Sequence, residues 1–213
     1  MKKQWLFPIM SSLVILDLLA IVLLVRAFYF AYFYQVFMTE TKCEDIPQGS
    51  TVLALGFEHL GETNGVIQPG MGNVEIARQL AACADHLALV VTQKAISDAM
   101  EQEGLLEDEM LLGKVYVRQM HSHQTNAPVH TFQALQIAVK NLAPLPDTLV
   151  LMAHDKQIER AIADLKTIYP GQIIPWKQNG IAYSNSGWLL PLRWAMRELY
   201  LARPVEAWLR WRQ

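Results

Sequence analysis

The sequence is poor in charged residues and in cysteine, and it has no basic excess, so several classes of protein are excluded. Charged residues make up 18% of the chain, against about 25% in an ordinary soluble domain. Eighteen Lys and Arg face 20 Asp and Glu, which leaves a formal net charge of −2. This balance excludes a strongly basic nucleic-acid binder and an acidic disordered chain, so we expect no nucleic-acid partner. Two cysteines, Cys43 and Cys83, exclude a disulfide-rich miniprotein and a four-cysteine zinc module, and their positions do not show whether they pair.

The N-terminal segment has the fewest charged residues for its length. Between Leu6 and Val25 the one charged residue is Asp17, and about 20 helical residues rise about 30 Å, enough to cross a membrane. The aromatic run 28–34 that follows is typical of a membrane–water boundary. We therefore expect residues 1–38 to form an uncleaved single-pass transmembrane anchor in the cytoplasmic (inner) membrane. Asp17 is either tolerated among leucines or contacts a partner helix in the membrane.

The orientation of the main domain is predicted from the charges that flank this anchor. The flank Thr39–Asp45 contains one Lys and three acidic residues, which does not favour a cytoplasmic location for that side. We therefore expect the main domain to lie outside the cytoplasm.

The remainder of the chain alternates between strand and helix patterns. Apolar runs such as Thr51–Leu55 and Thr148–Ala153 are typical of buried parallel strands. Segments with one apolar face lie between these runs. We therefore predict a three-layer α/β domain with a mainly parallel five-stranded sheet over residues 50–213, which includes C-terminal amphipathic helices. Residues 39–49 are predicted to be a linker.

The residues that follow the strands are the first candidates for a binding site, because open parallel sheets bind ligands at their carboxyl ends. Gly56 follows the first predicted strand and Gln93 the second. The glycine-rich loop Gly61–Gly72 leads into a helix, and free amides at that N-terminus can hold an anion. The alternative is a simple turn in which Asn73 is the N-cap.

His154 and Asp155 follow the fourth predicted strand. A histidine titrates near neutral pH, so this pair is suited to act as a general base or to orient a ligand. Alternatively, Asp155 caps the next helix. Arg160, further along that helix, either faces a phosphate or carboxylate or pairs with neighbouring acids on a solvated face.

A group of histidines suggests a metal site as a further alternative. His121 and His123, with His130 or His154, can bind zinc through their imidazoles. The other interpretation is a polar loop whose histidines form local hydrogen bonds. No cysteine or acid stands at ligand spacing, so we assign no metal ligand, and the sequence identifies no cofactor.

Three segments resemble the YdcF-like domain family of bacterial envelope proteins, which includes SanA-type and ElyC-type factors: Val52–Gly56, Pro69–Arg78 and 149–161. The segment 130–134 keeps the threonine of the family's helix start, which is Thr131. Gln157 stands three residues before Arg160, where a histidine is common. The resemblance implies a Rossmann-like fold behind one N-terminal membrane helix, and a role in cell-envelope integrity or envelope polysaccharide metabolism.

These observations together predict a membrane-anchored YdcF-like protein that binds a small anionic or nucleotide- or sugar-like ligand at the strand ends. His154 and Asp155 are the catalytic candidates, although the sequence leaves open whether the protein is an enzyme. Two alternatives are a non-enzymatic envelope interaction factor and a metal-dependent hydrolase that uses the histidine loop. The ligand-binding candidates are Gly56, Gly70, Gly72, Asn73, Glu75, Gln93, Thr131 and Arg160.

Overall fold

The long apolar helix pattern and the strand–helix alternation belong to different units of the structure. The structure, a computed structural model, describes residues 6–32, 40–57, 59–63, 66–120, 131–177 and 189–211. A helical unit comprises residues 1–34 and 188–204, and a sheet unit comprises residues 35–187 and 205–213. The predicted domain boundaries at residues 38 and 49 stay a prediction.

Within the described residues, the elements follow the order of the sequence patterns. The helices are α1 (Leu6–Tyr32), α2 (Met71–Ala82), α3 (Lys94–Gln102), α4 (Thr131–Asn141), α5 (Asp155–Leu165), α6 (Leu189–Arg197) and α7 (Arg203–Trp211). The strands are β1 (Ser50–Ala54), β2 (His59–Thr63), β3 (Val66–Pro69), β4 (Leu87–Thr92), β5 (Leu106–Glu107), β6 (Met110–Leu111), β7 (Val115–Gln119), β8 (Thr148–Met152) and β9 (Gln172–Trp176).

The prediction of a transmembrane helix in the fold is wrong. The side chains of α1 are described from Ile15 onward, and in the described part of the chain no helix is both long and apolar enough to cross a membrane. The aromatic end of α1 packs inside the protein, where Phe30 is buried in a cluster with Ala195 of α6. The Tyr200 hydroxyl donates a hydrogen bond to the backbone oxygen of Leu23 (2.7 Å). Protein contacts therefore cover one side of the aromatic end of α1, which was predicted to lie at a membrane–water boundary, whereas side chains such as Ile15, Val22 and Val25 are exposed.

The sheet unit is built on five parallel strands in the order β7-β4-β1-β8-β9. Val52 of β1 pairs with Val90 of β4 on one side and with Val150 of β8 on the other. All three side chains are completely buried, which explains why the strands appear in the sequence as continuous apolar runs. The mainly parallel α/β arrangement is therefore as predicted.

The predicted number of strands is wrong, because the sheet is mixed and contains seven strands. The short β5 and β6 form an antiparallel hairpin, and β6 pairs antiparallel with β7 at the sheet edge. Both residues of the connecting turn, Asp108 and Glu109, have positive φ angles. That turn shape is usually signalled by Asn-Gly or Asp-Gly, so Asp-Glu gave no sign of it. In addition, β2 and β3 form a separate antiparallel pair that overlaps the predicted glycine-rich loop Gly61–Gly72.

The strand order reverses at β1. The chain passes from β1 through β4 to β7 on one side, then returns to β8 and β9 on the other side of β1. Helix α2 packs against α3, and α4 packs against α5. Because parallel crossovers are right-handed, these two pairs cover opposite faces of the sheet. The loops that follow β1 and β8 therefore diverge, and a crevice at such a point is the usual ligand site of open α/β sheets.

A disulfide fastens the segment before β1 to the sheet unit. Cys43 lies in a short 3₁₀ helix (Cys43–Asp45) and bonds to Cys83 at the end of α2, with the two Cα atoms 5.2 Å apart. Thr41 adds a second attachment, because its backbone amide donates to the carbonyl of Lys177 (3.0 Å). Two attachments of this kind hold part of the predicted linker, residues 39–49, against the sheet unit.

Candidate functional site

Two carboxamide side chains hold the loop that leaves β1. The Gly56 amide donates to Oε1 of Gln93 (2.7 Å), and the Phe57 amide donates to Oδ1 of Asn73 (2.9 Å). A methyl group at the Gly56 Cα would stand 3.2 Å from Gln93 Oε1 and 3.5 Å from Asn73 Oδ1. Glycine therefore suits this close approach. The two predicted candidates Asn73 and Gln93 shape the loop through these oxygen atoms.

The two helices that follow this loop region, α2 and α3, begin without a side-chain cap. The N-cap of α2 is Gly70 and the N-cap of α3 is Gln93, and neither forms a side-chain capping hydrogen bond. Neither helix has an acidic residue in its first turn. The Asn73 amide donates to the Gly70 carbonyl (2.9 Å) and the Ile96 amide to the Gln93 carbonyl (3.0 Å), and the first turn of a helix carries a partial positive charge. The carboxyl ends of β1 and β4 therefore face two helix ends suited to an anion.

An aromatic stack occupies the point at which the strand order reverses. The Phe57 ring lies on the His154 ring, with centroids 3.6 Å apart and planes 10° apart. His154 is 1% exposed, and its Nδ1 lies 2.7 Å from Oδ1 of Asp155. A carboxylate accepts hydrogen bonds, so this contact places a proton on Nδ1 of His154. Together, Gly56, Phe57, Asn73, Gln93 and His154 form what we call the strand-exit site.

A second polar group, the Thr131 cluster, consists of Thr131, Gln157 and Arg160. The Thr131 hydroxyl oxygen accepts hydrogen bonds from Nε2 of Gln157 (3.0 Å) and from a guanidinium nitrogen of Arg160 (3.1 Å). Gln157 lies one turn along α5 from His154, and its backbone amide donates to the His154 carbonyl (2.8 Å). The cluster therefore joins Thr131 at the start of α4 to Gln157 and Arg160 in the first half of α5.

The predicted site residues thus fall into two linked groups, with one exception. Gly70 and Gly72 lie at the start of α2, next to Asn73. Glu75 does not join either group through the contacts described, because its carboxylate accepts a hydrogen bond from Gln79 along α2 (3.1 Å). The catalytic assignment of His154 and Asp155 stays a prediction.

Two residues of these groups were absent from the sequence-based set. Phe57 directly follows Gly56, and its position after a strand was the signal that could have included it. Gln157 stands three residues after His154, a spacing that places both on one side of a helix. Neither residue type suggested chemistry by itself, because a phenylalanine and a glutamine are common in cores and on surfaces.

The metal alternative involves a segment outside the described residues. His121, His123 and His130 lie in the segment 121–130. Within the described ranges, no group of three or more His, Cys, Asp or Glu side chains is arranged to hold a metal ion. The histidine-loop hydrolase therefore stays a prediction.

In comparisons with known proteins, no family model, curated protein or solved structure matches this chain. The resemblance to the YdcF-like family therefore stays a prediction.

Proposed function

We propose that the sheet unit binds a small anionic ligand at the strand-exit site. The observation that carries this proposal is the pair of neighbouring helices, α2 and α3, which begin at the carboxyl ends of β1 and β4 with neither a side-chain cap nor a first-turn acid. A protein that only needed stable helices there would gain from Ser, Asp or Asn at the N-cap. With Gly70 and Gln93 there instead, no side-chain oxygen or first-turn carboxylate neutralises the positive end of either helix dipole.

An exposed lysine and a buried aromatic stack border this site. Lys94 is the first residue of α3 and is exposed. His154 stands at the reversal of strand order under the Phe57 ring. Because His154 is buried and the Phe57 ring lies on one of its faces, a ligand contacts the imidazole only after the side chains that cover it, Phe57 among them, have moved. General base catalysis by His154 therefore requires an opening of the strand-exit site.

The disulfide supports a proposal about compartment. Disulfides persist in oxidising compartments and are rare in the cytosol. The Cys43–Cys83 bond therefore favours a sheet unit that matures outside the cytoplasm. The role in envelope integrity, and the alternative of a non-enzymatic interaction factor that uses Asp17, stay predictions.

A charge reversal next to the site tests the proposal. Titration calorimetry with inorganic phosphate would measure binding to the full chain and to Lys94→Glu. We expect the substitution to raise Kd about threefold to tenfold, because it reverses a charge at a helix N-terminus. The matched control is Lys114→Glu. Lys114 directly precedes β7 and so lies at the amino end of that parallel strand, opposite the carboxyl ends that form the site. Both lysines are exposed and pair with an aspartate, Lys94 with the largely buried Asp98 (2.7 Å) and Lys114 with the exposed Asp85 (2.6 Å).

The control should change Kd by less than about twofold, because surface charges far from a ligand are screened by salt. Equal effects of the two substitutions would show that phosphate responds to net charge and not to this site. Absence of phosphate binding by the unsubstituted chain would refute the proposal outright.

A further inference from the structure

The Thr131 cluster contains a buried acceptor without a partner. Gln157 is 6% exposed, and its Nε2 donates to Thr131 (3.0 Å). Within the described part of the chain its Oε1 is buried and accepts no hydrogen bond. Leaving such a group unsatisfied costs about 1–3 kcal/mol, and native proteins keep few of them. The position of this oxygen therefore requires an explanation.

A donor lies beside this acceptor. The Thr131 oxygen accepts hydrogen bonds from both Gln157 and Arg160 (3.0 and 3.1 Å). A hydroxyl group has two acceptor positions and one hydrogen, so its hydrogen must point to a third partner. No acceptor for that hydrogen occurs among the described residues. The cluster thus presents one open donor and one open acceptor on adjacent side chains.

We propose that the Thr131 cluster recognises a hydroxyl group of the anionic ligand. A hydroxyl group both donates and accepts, so a single one satisfies Gln157 Oε1 and the Thr131 hydrogen together. Gln157 is three residues from His154, which is about 4.5 Å along a helix axis. The cluster therefore lies near the His154 side of the strand-exit site, which suits an anionic ligand that carries a hydroxyl group a short way from its phosphate, as in a phosphorylated polyol or sugar. This inference rests on the proposed function, because the anion itself binds at the strand-exit site.

Two ligands of equal charge test the inference on the full chain. Titration calorimetry would compare ethyl phosphate with 2-hydroxyethyl phosphate, which differ by one hydroxyl group. We expect 2-hydroxyethyl phosphate to bind about tenfold more tightly, because it fills the two unsatisfied positions. The comparison needs no substitution, so it stays informative even where a variant fails to fold.

A pair of glutamine variants assigns the preference to the cluster. Gln157→Leu should bind both esters with equal affinity. Gln79→Leu should keep the tenfold preference, because Gln79 also has a buried Oε1 without a partner but donates to Glu75 (3.1 Å), outside the cluster. Loss of the preference in both variants would overturn the assignment.

The outcomes separate this inference from the proposed function. If the unsubstituted chain binds the two esters equally, the hydroxyl inference fails while anion binding stands, and a bound water satisfies the cluster. If neither ester nor inorganic phosphate binds, both proposals fail.

Discussion

Opening the Cys43–Cys83 disulfide should remove a large part of the stability of the sheet unit. The bond joins residues 40 positions apart, and the loop-closure relation assigns a ring of that length about 4 kcal/mol at 25 °C. A whole domain is typically stable by about 5–15 kcal/mol. The double substitution Cys43→Ala with Cys83→Ala should therefore lower the free energy of unfolding by about 4 kcal/mol.

The single substitutions sharpen this prediction. Each one opens the same ring, so each should cost nearly as much as the double substitution, and the two effects should not add. Urea unfolding of the full chain, followed by far-ultraviolet circular dichroism, measures all three variants. Cys83 is 4% exposed and packs in the core, so Cys83→Ala should show a slightly larger loss from packing.

A reductant provides the control for the disulfide prediction. It should destabilise the unsubstituted chain by a similar amount and leave the double variant unchanged. A double variant within about 1 kcal/mol of the unsubstituted chain would refute the loop-closure reasoning. Additive effects of the single substitutions would do the same, because they would point to packing as the source of the loss.

Two further predictions concern a buried phenol and the aromatic stack. Burial, with a contribution from Asp147, raises the pKa of Tyr169 above the ordinary value of 10.0; the unfolded chain therefore releases this proton first as pH rises, and stability falls above about pH 10. Tyr169→Phe should show a smaller decline in unfolding free energy between about pH 9 and pH 11. At neutral pH the same variant should be about 1 kcal/mol less stable, because it loses the hydrogen bond to the Pro146 carbonyl. A decline as steep as that of the unsubstituted chain would contradict this prediction. Phe57→Ala should expose His154 and accelerate the modification of His154 by diethyl pyrocarbonate, measured by mass spectrometry. The half-exposed His86 is the control, and its rate of modification should not change. An unaltered ratio of the two rates would show that the stack does not protect His154.

Much of the core sheet could be predicted from local pattern. The runs that became β1, β4 and β8 are apolar over several consecutive residues because both faces of a parallel sheet are covered. The positions of Gly56, Gln93 and His154 after these strands also followed, since the carboxyl ends of parallel strands share one edge. Both features depend on residues close together in the sequence.

Other features had no local signal. The β5–β6 hairpin consists of strands of two residues, too short to show an alternating pattern. The pairing of Cys43 with Cys83 required the 3₁₀ helix to approach the end of α2, which no spacing indicates. The predicted transmembrane helix rested on the composition of one segment, and composition does not show that Phe30 packs against neighbouring protein.

The sequence by itself determined which segments become the central strands and which edge carries the polar loops, because burial imposes a repeating apolar pattern within each element. Only the tertiary structure decided what the polar side chains at that edge bond to. By local rules Asn73 is a candidate N-cap, yet α2 begins at Met71 with Gly70 as its N-cap. The Asn73 and Gln93 oxygens instead accept hydrogen bonds from the Phe57 and Gly56 amides, which the pairing of β1 with β4 and β8 brings close to them. Hydrogen bonds form with whatever donor the fold brings within about 3 Å, and that donor lies elsewhere in the sequence.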